Sequence, residues 1–365
     1  MSGTVFLEGS PVLLNFRLLL LLMLTGFSTG SLANHLPPTD SWTFTLRFEN
    51  DLFNRTDRFY TNGIKLNWIS PELKWFEDLA WFKKEGLPQQ GLNWFASVLP
   101  YHTDESRQRN FSLSLGQMMY TPRNTVATTL IDDDRPYAGW LYGSAAFHSK
   151  NYRVLDSFEI QGGFTGKWSL AREAQNLVHS VRGIPKANGW DNQIRTEPGL
   201  ALVYDHKYRL VPRIDFSRRW KADAILHAGG ALGNVYTNLN GGIELRAGWN
   251  LPTDFGTALI RPGGDTNAPA DTADVRYSTD LNAYSAHVFI ATSGRMVLHD
   301  IFLDGNTFRA SHKVEKELFV GDLVVGASIV RRKFKVSYAH VFRSNEFKGQ
   351  PGGLGFGSIS ISYTD

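Results

Sequence analysis

The stretches Trp42-Thr-Phe-Thr-Leu-Arg-Phe-Glu-Asn-Asp51 and Phe59-Tyr-Thr-Asn-Gly-Ile-Lys-Leu66 decide the fold of this chain. In the first, apolar and polar residues alternate strictly from Trp42 to Glu49, and the second does the same from Gly63 onward. Alternation with a period of two predicts β-strands with one apolar and one polar face. The polar link at 52–58 therefore closes a hairpin, and we expect its tip to be a polar cluster on a rigid edge. Three residues form that tip: Asn50, Asp51 and Thr61.

The composition excludes several classes of protein. The 365 residues carry 38 basic and 35 acidic side chains, so no nucleic-acid partner is indicated, and the lack of cysteine rules out disulfides and thiolate catalysis. Aromatic residues make up 13% of the chain, although the mean hydropathy is -0.24. That combination favours a barrel whose apolar residues are spread over alternating strand positions.

The N-terminal region predicts export. One apolar run, 18–24, follows Arg17, and Ser31-Leu-Ala33 supplies small residues at the spacing of a cleavage site. The run is too short to span a bilayer comfortably, which favours a secretory signal peptide over an anchor helix. We predict a signal peptide at 1–33 and a single β-barrel domain at 34–365.

Alternating segments recur along the rest of the chain. Together with the first hairpin they number about twelve, an even number, as bacterial outer-membrane barrels require. We therefore predict an all-β fold, a transmembrane antiparallel β-barrel of about twelve strands. Tryptophans near predicted strand ends fit the aromatic girdles of such a barrel. The further segments are 111–119, 137–148, 158–164, 200–208, 222–232, 243–249, 284–290, 318–330, 334–342 and 356–363.

Strand parity assigns the loops to two sides. If the first strand runs outward, the outer loops are 52–58, 120–136, 165–193, 233–237, 291–317 and 343–355. The third outer loop has helical periodicity over 169–181, with Ser169 as the expected cap and Gly183 as the end. This short extracellular helix carries Gln175 and His179 on one face. The inner loop that contains the aromatic segment 75–95 has no functional interpretation.

Five spaced motifs resemble those of the outer-membrane lipid A 3′-O-deacylase family, and the similarity extends from about Ser41 to Tyr363. The resemblance implies a calcium-dependent esterase that removes the 3′-O-linked acyloxyacyl chain of lipid A, the membrane anchor of lipopolysaccharide, among the lipids of the outer leaflet. The motifs are Asn50-Asp51, Tyr60-Thr-Asn-Gly63, Asp134-Arg-Pro-Tyr-Ala-Gly139, Gln175-Asn-Leu-Val-His179 and Gly189-Trp-Asp-Asn-Gln193.

The resemblance also implies the roles of individual residues. His179 becomes the catalytic base that activates water, as histidine commonly does near neutral pH. Asn50 is the expected oxyanion donor, and Gln175 is assigned to the same catalytic group. Asp51 and Thr61 supply hard oxygen ligands of the kind that Ca²⁺ prefers. By strand parity, Asp51 and Thr61 should lie on the polar face of the wall and Asn50 on the other face.

Lipid A carries phosphates, so arginines are expected close to the site. We predict that Arg123 and Arg135, on the second outer loop, bind them. One departure from the family pattern concerns the position six residues after His179, which is Pro185 here and glutamate in some members. If that glutamate orients the imidazole, either another carboxylate such as Asp191 replaces it or the activity is weaker.

Other interpretations remain open on the sequence alone. An outer-membrane phospholipase could use the same water activation, and a non-catalytic pore or surface-binding barrel would also have a polar inner face. Within the predicted mature chain no serine lies in a Gly-x-Ser-x-Gly elbow, which favours water as the nucleophile. The preferred acyl chain and the oligomeric state are not determined by the sequence.

Overall fold

The computed structural model describes residues 40–51, 59–74, 104–217, 219–257, 259–260 and 267–365. The chain divides into the units Met1–Asn34 and His35–Asp365. The first unit, with the predicted signal peptide, and the aromatic segment 75–95 lie outside the described residues. Among the described residues, no helix is both long and apolar enough to cross a membrane.

The second unit is a closed antiparallel barrel of twelve strands, which confirms the predicted fold. Each strand pairs with its neighbours in sequence, and the first closes on the last from Thr43↔Thr364 to Asn50↔Gly357. The strands are β1 Thr43–Asn50, β2 Phe59–Ile69, β3 Gln108–Thr121, β4 Ala138–Lys150, β5 Val154–Thr165, β6 Pro198–Asp215, β7 Trp220–Gly233, β8 Tyr236–Trp249, β9 Tyr284–Asp300, β10 Phe319–Arg331, β11 Phe334–Arg343 and β12 Leu354–Thr364. In the links that the structure describes, the α-helices are α1 Ala171–Arg182 and α2 Ile301–Asp304.

The strands expose apolar residues outward and bury polar residues inward. On β1, Phe44 and Leu46 are exposed, whereas Thr45 and Arg47 are buried in the lumen. This is the reverse of a soluble barrel and is expected when the outer solvent is lipid. We call the end of the barrel at which β1 finishes the outer end. The opposite end, at which β1 starts and β12 finishes, is the inner end. The inner end carries a band of aromatic rings, including Trp42 against Tyr363 at 5.6 Å.

Several strands are longer than predicted, and β9 shows why. Strand β9 continues ten residues beyond the predicted Ile290, through Ala291-Thr-Ser-Gly-Arg295, where the apolar alternation stops. The ladder continues because β8 and β10 supply hydrogen bonds on both sides, for example at Gly294 with Gly241 and Gly321. Hydrophobic alternation therefore underestimates the length of a strand whose pairing continues beyond the apolar, lipid-facing residues.

The lumen is filled. The long link between β8 and β9 enters it from the inner end and rises until the Ile260 amide donates to Glu49 Oε1 at 2.7 Å, near the outer end of β1. Lower down, the carboxylate of Asp254 on the same link accepts from Arg246 at 2.7 Å and from Lys335 at 2.7 Å. Burial would raise the pKa of Asp254, but Lys335, Arg276 and Arg246 hold it well below its usual value. The link is therefore bound to the wall by several buried charges.

Candidate functional site

Helix α1 follows a 3-10 turn at Gly166–Ser169, and Leu170 between them takes the left-handed conformation with φ 56. The prediction that Ser169 caps the helix is wrong. Its hydroxyl instead donates to the Gly166 carbonyl at 2.6 Å within the 3-10 turn, so the helix begins two residues later, at Ala171. Its predicted end is confirmed, because Gly183 adopts φ 67 and its amide bonds back to the last turn.

The helix lies against the outward face of the wall at the outer end of β3 and β4. Ala171 packs in a buried cluster with Met119 and Tyr137, and Gln117 Nε2 donates to the Ser169 carbonyl at 2.6 Å. Gly139 makes this contact possible. A Cβ at that position would lie 2.9 Å from Ser169 Cβ and closer still to Ala171 Cβ, well inside ordinary carbon contact.

The segment after α1 fastens the helix to the second outer loop. Trp190 is fully buried, and its Nε1 donates to Gln175 Oε1 at 2.6 Å. Asn192 Nδ2 donates to the Thr128 carbonyl at 2.8 Å. Asp191 forms an exposed ion pair with Arg172 at 2.9 Å, so the prediction that Asp191 orients His179 is wrong. The Gly-Trp-Asp-Asn-Gln motif therefore positions the helix.

The backbone carbonyl of Pro185 orients His179. The ring Nδ1 lies 2.6 Å from that oxygen, and the ring is 4% exposed, on the helix face that packs against the wall. Gly183 adopts the left-handed conformation, which turns the chain back toward the last turn of α1. The Ile184 amide then donates to the His179 carbonyl at 3.0 Å, and this places Pro185 next to the His179 ring. A carbonyl only accepts hydrogen bonds, so Nδ1 carries the proton and Nε2 carries the lone pair in the neutral ring.

Gln175 lies one turn before His179 on the same face and is 2% exposed. An indole N–H can only donate, so the bond from Trp190 fixes the amide with Oε1 toward the indole. Gln175 Nε2 then has no hydrogen-bond partner among the residues that the structure describes. An unsatisfied buried donor is costly and uncommon, which makes this N–H a candidate contact for a bound molecule.

The hairpin tip has a β-bulge. The pairing of β2 with β3 shifts between Tyr60 and Asn62, which leaves Thr61 as the extra residue. Tyr60 points into the lumen and donates to Glu49, whereas the Thr61 and Thr121 hydroxyls bond at 2.7 Å. Thr121 follows the lumen-facing Tyr120, so alternation places it on the outward face. The parity assignment of Thr61 to the inner face is therefore wrong, because parity does not anticipate a bulge.

The register links the hairpin tip to the helix. Asn50 pairs with Asn62, which pairs with Met119, and Met119 packs in the cluster that the helix covers. Two strand spacings amount to roughly 10 Å. Asn50, Asp51 and Thr61 are each less than 5% exposed although they lie at the rim of the barrel. The hairpin tip and α1 thus lie about two strands apart on the outward face, and we call the region between them the groove.

The oxygen atoms of Asp51 and Thr61 at the hairpin tip are of the type that Ca²⁺ binds. No group of three or more His, Cys, Asp or Glu side chains is placed to hold a metal within the described ranges. A cation at the tip would therefore be held by Asp51 with neutral oxygens among its other ligands. The Thr61 hydroxyl oxygen fits that description, because its bond with Thr121 does not use both of its lone pairs. Hard neutral oxygens beside one carboxylate are ligands that Ca²⁺ accepts.

The two arginines predicted to bind phosphate lie in different surroundings. Arg123 is exposed on the second outer loop, with its backbone amide bonded to Asp134 at 2.7 Å. Arg135 is 2% exposed, bonds Glu346 at 2.9 Å and lies over the lumen-facing ring of Tyr120. Arg135 therefore holds the outer loops together, and its contact with phosphate, which this burial disfavours, stays a prediction. No local pattern distinguishes the two arginines, because both lie in the same loop.

Comparisons with known proteins agree with this architecture. A family model described as outer membrane protein LpxR matches residues 18–364. Among solved structures, LpxR from Salmonella typhimurium aligns with a TM-score of 0.66 and 16% identity, over 88% of this chain and 99% of that one. The β domain of the Bordetella autotransporter BrkA aligns with a TM-score of 0.39 and 8% identity, over 89% and 98% of the two chains. A search of curated protein sequences found no match.

Proposed function

Because this chain belongs to the outer membrane protein LpxR family, we propose that it is a calcium-dependent esterase that hydrolyses the 3′-O-linked acyloxyacyl chain of lipid A. The chain is an integral β-barrel of the outer membrane. The proposed substrate is therefore a lipid of the same membrane, and the proposed nucleophile is a water molecule activated by His179.

The observation that carries this proposal is the orientation of the imidazole. Ester hydrolysis by water needs a base whose lone pair faces the reacting water. The bond from His179 Nδ1 to the Pro185 carbonyl leaves Nε2 as the basic nitrogen, on the side of the helix that faces the wall. A positioned general base of this kind contributes roughly 10²–10⁴ in rate.

Two amide groups are proposed to stabilise the oxyanion. Asn50 ends β1 on the outward face, and Gln175 presents an Nε2 donor that is fixed in direction by Trp190. Residues four apart on a helix have Cβ atoms about 5–6 Å apart, so the Gln175 amide and the His179 ring can serve one substrate carbonyl. Each oxyanion donor of this type is worth on the order of 10²–10³ in kcat.

Asp51 and Thr61 would hold the calcium ion. When bound, the ion would polarise the ester carbonyl as a Lewis acid. The chain's own contribution is the bulge, which brings the Thr61 hydroxyl to the outward face next to the end of β1. A helix-covered groove also excludes water from all but the reacting position, which strengthens each polar interaction within it.

The filled lumen disfavours the alternative of an open pore. A lumen cavity near the outer end has a volume of about 60 Å³ and is lined by Tyr60, Tyr120 and Phe302 among others. That volume accommodates a few water molecules and is too small for a wide channel at this level. A phospholipase would use the same chemistry at the same groove, and the choice of substrate separates it from a lipid A esterase.

The test is mass spectrometry of lipid A after incubation with purified, folded protein, with calcium or with a chelator. We expect loss of one acyloxyacyl unit that requires calcium and disappears in His179→Ala. His227→Ala, on β7 and six strands from β1 in the closed barrel, is the matched histidine control and should retain activity. Release of fatty acid from glycerophospholipids but not from lipid A would instead identify a phospholipase. No hydrolysis of either lipid by a verified barrel would refute the esterase.

A further inference from the structure

The apolar stripe of α1 faces away from the protein. Leu170, Leu177 and Val181 are 52%, 66% and 79% exposed, whereas Ala171 and Gln175 on the opposite face are 1% and 2% exposed. In water, an amphipathic helix turns its apolar stripe toward the protein. Here the helix is oriented the other way, and its buried face carries the residues of the groove. Such an orientation is stable only where the surroundings are themselves apolar.

The stripe is continuous with the lipid-facing surface of the barrel. Trp168, just before the helix, is 62% exposed, and its ring meets that of Phe164 at 5.0 Å. Phe164 is an outward residue of β5 and is 40% exposed. Beside it on β6, Leu200 extends the same surface and is 53% exposed. An apolar path thus runs from the wall, through Trp168, onto the outer side of α1.

Polar residues occupy the flank of the helix. Arg172, Glu173 and Ser180 are exposed, and they lie between the apolar stripe and the buried face. A helix with one apolar and one charged side, attached to a membrane protein, is of the type that lies in the plane of the interface. This arrangement matches a helix half immersed in the leaflet, with its charged flank in the headgroup region.

We propose that the stripe formed by Trp168, Leu170, Leu177 and Val181 is immersed in the acyl chains of the outer leaflet, and that the scissile acyl chain reaches His179 laterally from the membrane. The second part rests on the proposed esterase function, and the first part does not. The helix then acts as a wall of the groove whose outer side touches lipid and whose inner side holds the catalytic groups. The acyl chain of the substrate never crosses water on its way to the base.

The immersion can be measured directly, because the chain contains no cysteine. Single substitutions Leu177→Cys and Val181→Cys would carry an environment-sensitive fluorophore, in the full-length protein folded into liposomes. Glu173→Cys and Ser180→Cys, on the same helix, are the matched controls. Lipids brominated on their acyl chains should quench the label at 177 and 181 several-fold more than at 173 and 180, and aqueous iodide should do the opposite. Equal iodide quenching at all four positions would overturn the immersion.

A kinetic arm tests the lateral route. The double substitution Leu177→Ser with Val181→Ser should raise the apparent KM for lipid A in vesicles on the order of tenfold and leave kcat nearly unchanged, because only contacts with the membrane are lost. Glu173→Ser is the control and should leave both constants unchanged. An unchanged KM in the double variant would refute lateral delivery. The quenching result needs no activity, so failure of the esterase and failure of the immersion are separate outcomes.

Discussion

The substitution Gly139→Ala tests whether the position of α1 controls the chemistry of the groove, because it alters only the contact between β4 and the start of the helix. Gly139 faces outward on β4, where α1 begins. The added Cβ would lie 2.9 Å from Ser169 Cβ and closer to Ala171 Cβ. Favourable carbon contacts are about 3.5–4.0 Å, so the start of the helix must move outward by at least roughly 0.6 Å, and on the order of 1 Å to clear both contacts.

The expected effect is on catalysis more than on folding. Forcing an extra methyl group into a close contact typically costs about 1–3 kcal/mol, a small part of what closes a twelve-strand barrel. A misplacement of about 1 Å of a catalytic group can cost 10²-fold in rate. His179 and Gln175 move with the helix, so we expect kcat for lipid A deacylation to fall roughly 10²-fold while the barrel remains folded.

The assay is the deacylation rate by mass spectrometry, with folding followed by the faster migration of unheated barrel in detergent gels. Gly162→Ala is the matched control, because Gly162 also lies on a strand and an added Cβ there meets nothing within 4 Å. Activity of Gly139→Ala within a few-fold of Gly162→Ala would show that the position of α1 does not control the chemistry. The groove would then have to be sought elsewhere.

Further predictions concern separate parts of the molecule. Arg123→Glu should raise the apparent KM for lipid A roughly tenfold, since a charged hydrogen bond to phosphate is worth about 1.5–3 kcal/mol, and unchanged steady-state kinetics would exclude that contact. Asp254→Asn should destabilise the barrel by about 3–5 kcal/mol, seen as a lower temperature of loss of the folded gel band, because it leaves buried cations uncompensated. Burial would raise the pKa of Asp304, but hydrogen bonds from His299 and Lys316 lower it to about 2. Because the pKa of Asp304 is lower in the folded state than the unfolded value near 3.9, its ionised form stabilises the fold above that pH. This stabilisation is lost as the pH falls toward 2. The difference in stability between wild type and Asp304→Asn should therefore be present at pH 6 and vanish by about pH 2.

The oxyanion assignment has its own conservative variant. Gln175→Glu keeps an oxygen for the indole N–H of Trp190 but removes the Nε2 donor. We expect kcat to fall on the order of 10²–10³-fold with little change in helix position, as is typical when one oxyanion donor is lost. Trp190→Phe would instead loosen the helix. If Gln175→Glu retained full activity, the amide would be only a packing residue.

The sequence predicted the barrel well because one pattern carries the information. The outward residues of each strand face lipid and the inward ones face a polar lumen, so alternation in the chain maps directly onto the wall. The predicted strands fail where that pattern stops, as in β8, whose start at Tyr236-Thr-Asn-Leu-Asn240 precedes the predicted segment 243–249. Pairing with neighbours is a long-range property that no local pattern reports.

The site was predicted less completely, for reasons of geometry. Residue types at His179, Asn50 and Asp51 suggested chemistry, but a bulge reversed the face assigned to Thr61. Arg123 is exposed whereas Arg135 is buried, although both lie in the same loop. The burial of one loop by another depends on contacts between residues far apart in the chain, such as the 2.9 Å bond from Arg135 to Glu346. Backbone groups were missed altogether, since a sequence motif cannot show where a carbonyl points.

The Pro185 carbonyl has a chemical consequence for the proposed base. It fixes the same tautomer of His179 that a carboxylate would fix, because both only accept from Nδ1. A carbonyl is uncharged, however, and hydrogen bonds to ionised acceptors are roughly twice as strong as neutral ones. The imidazolium that forms when His179 takes a proton is therefore stabilised less here than beside the glutamate that the family resemblance implies for other members. We expect Pro185→Glu to raise the pH at which the base becomes active, while Pro185→Gln, which adds no charge, should leave the pH profile in place. Identical pH–rate profiles for both variants and wild type would mean that His179 is not the group whose ionisation limits the reaction.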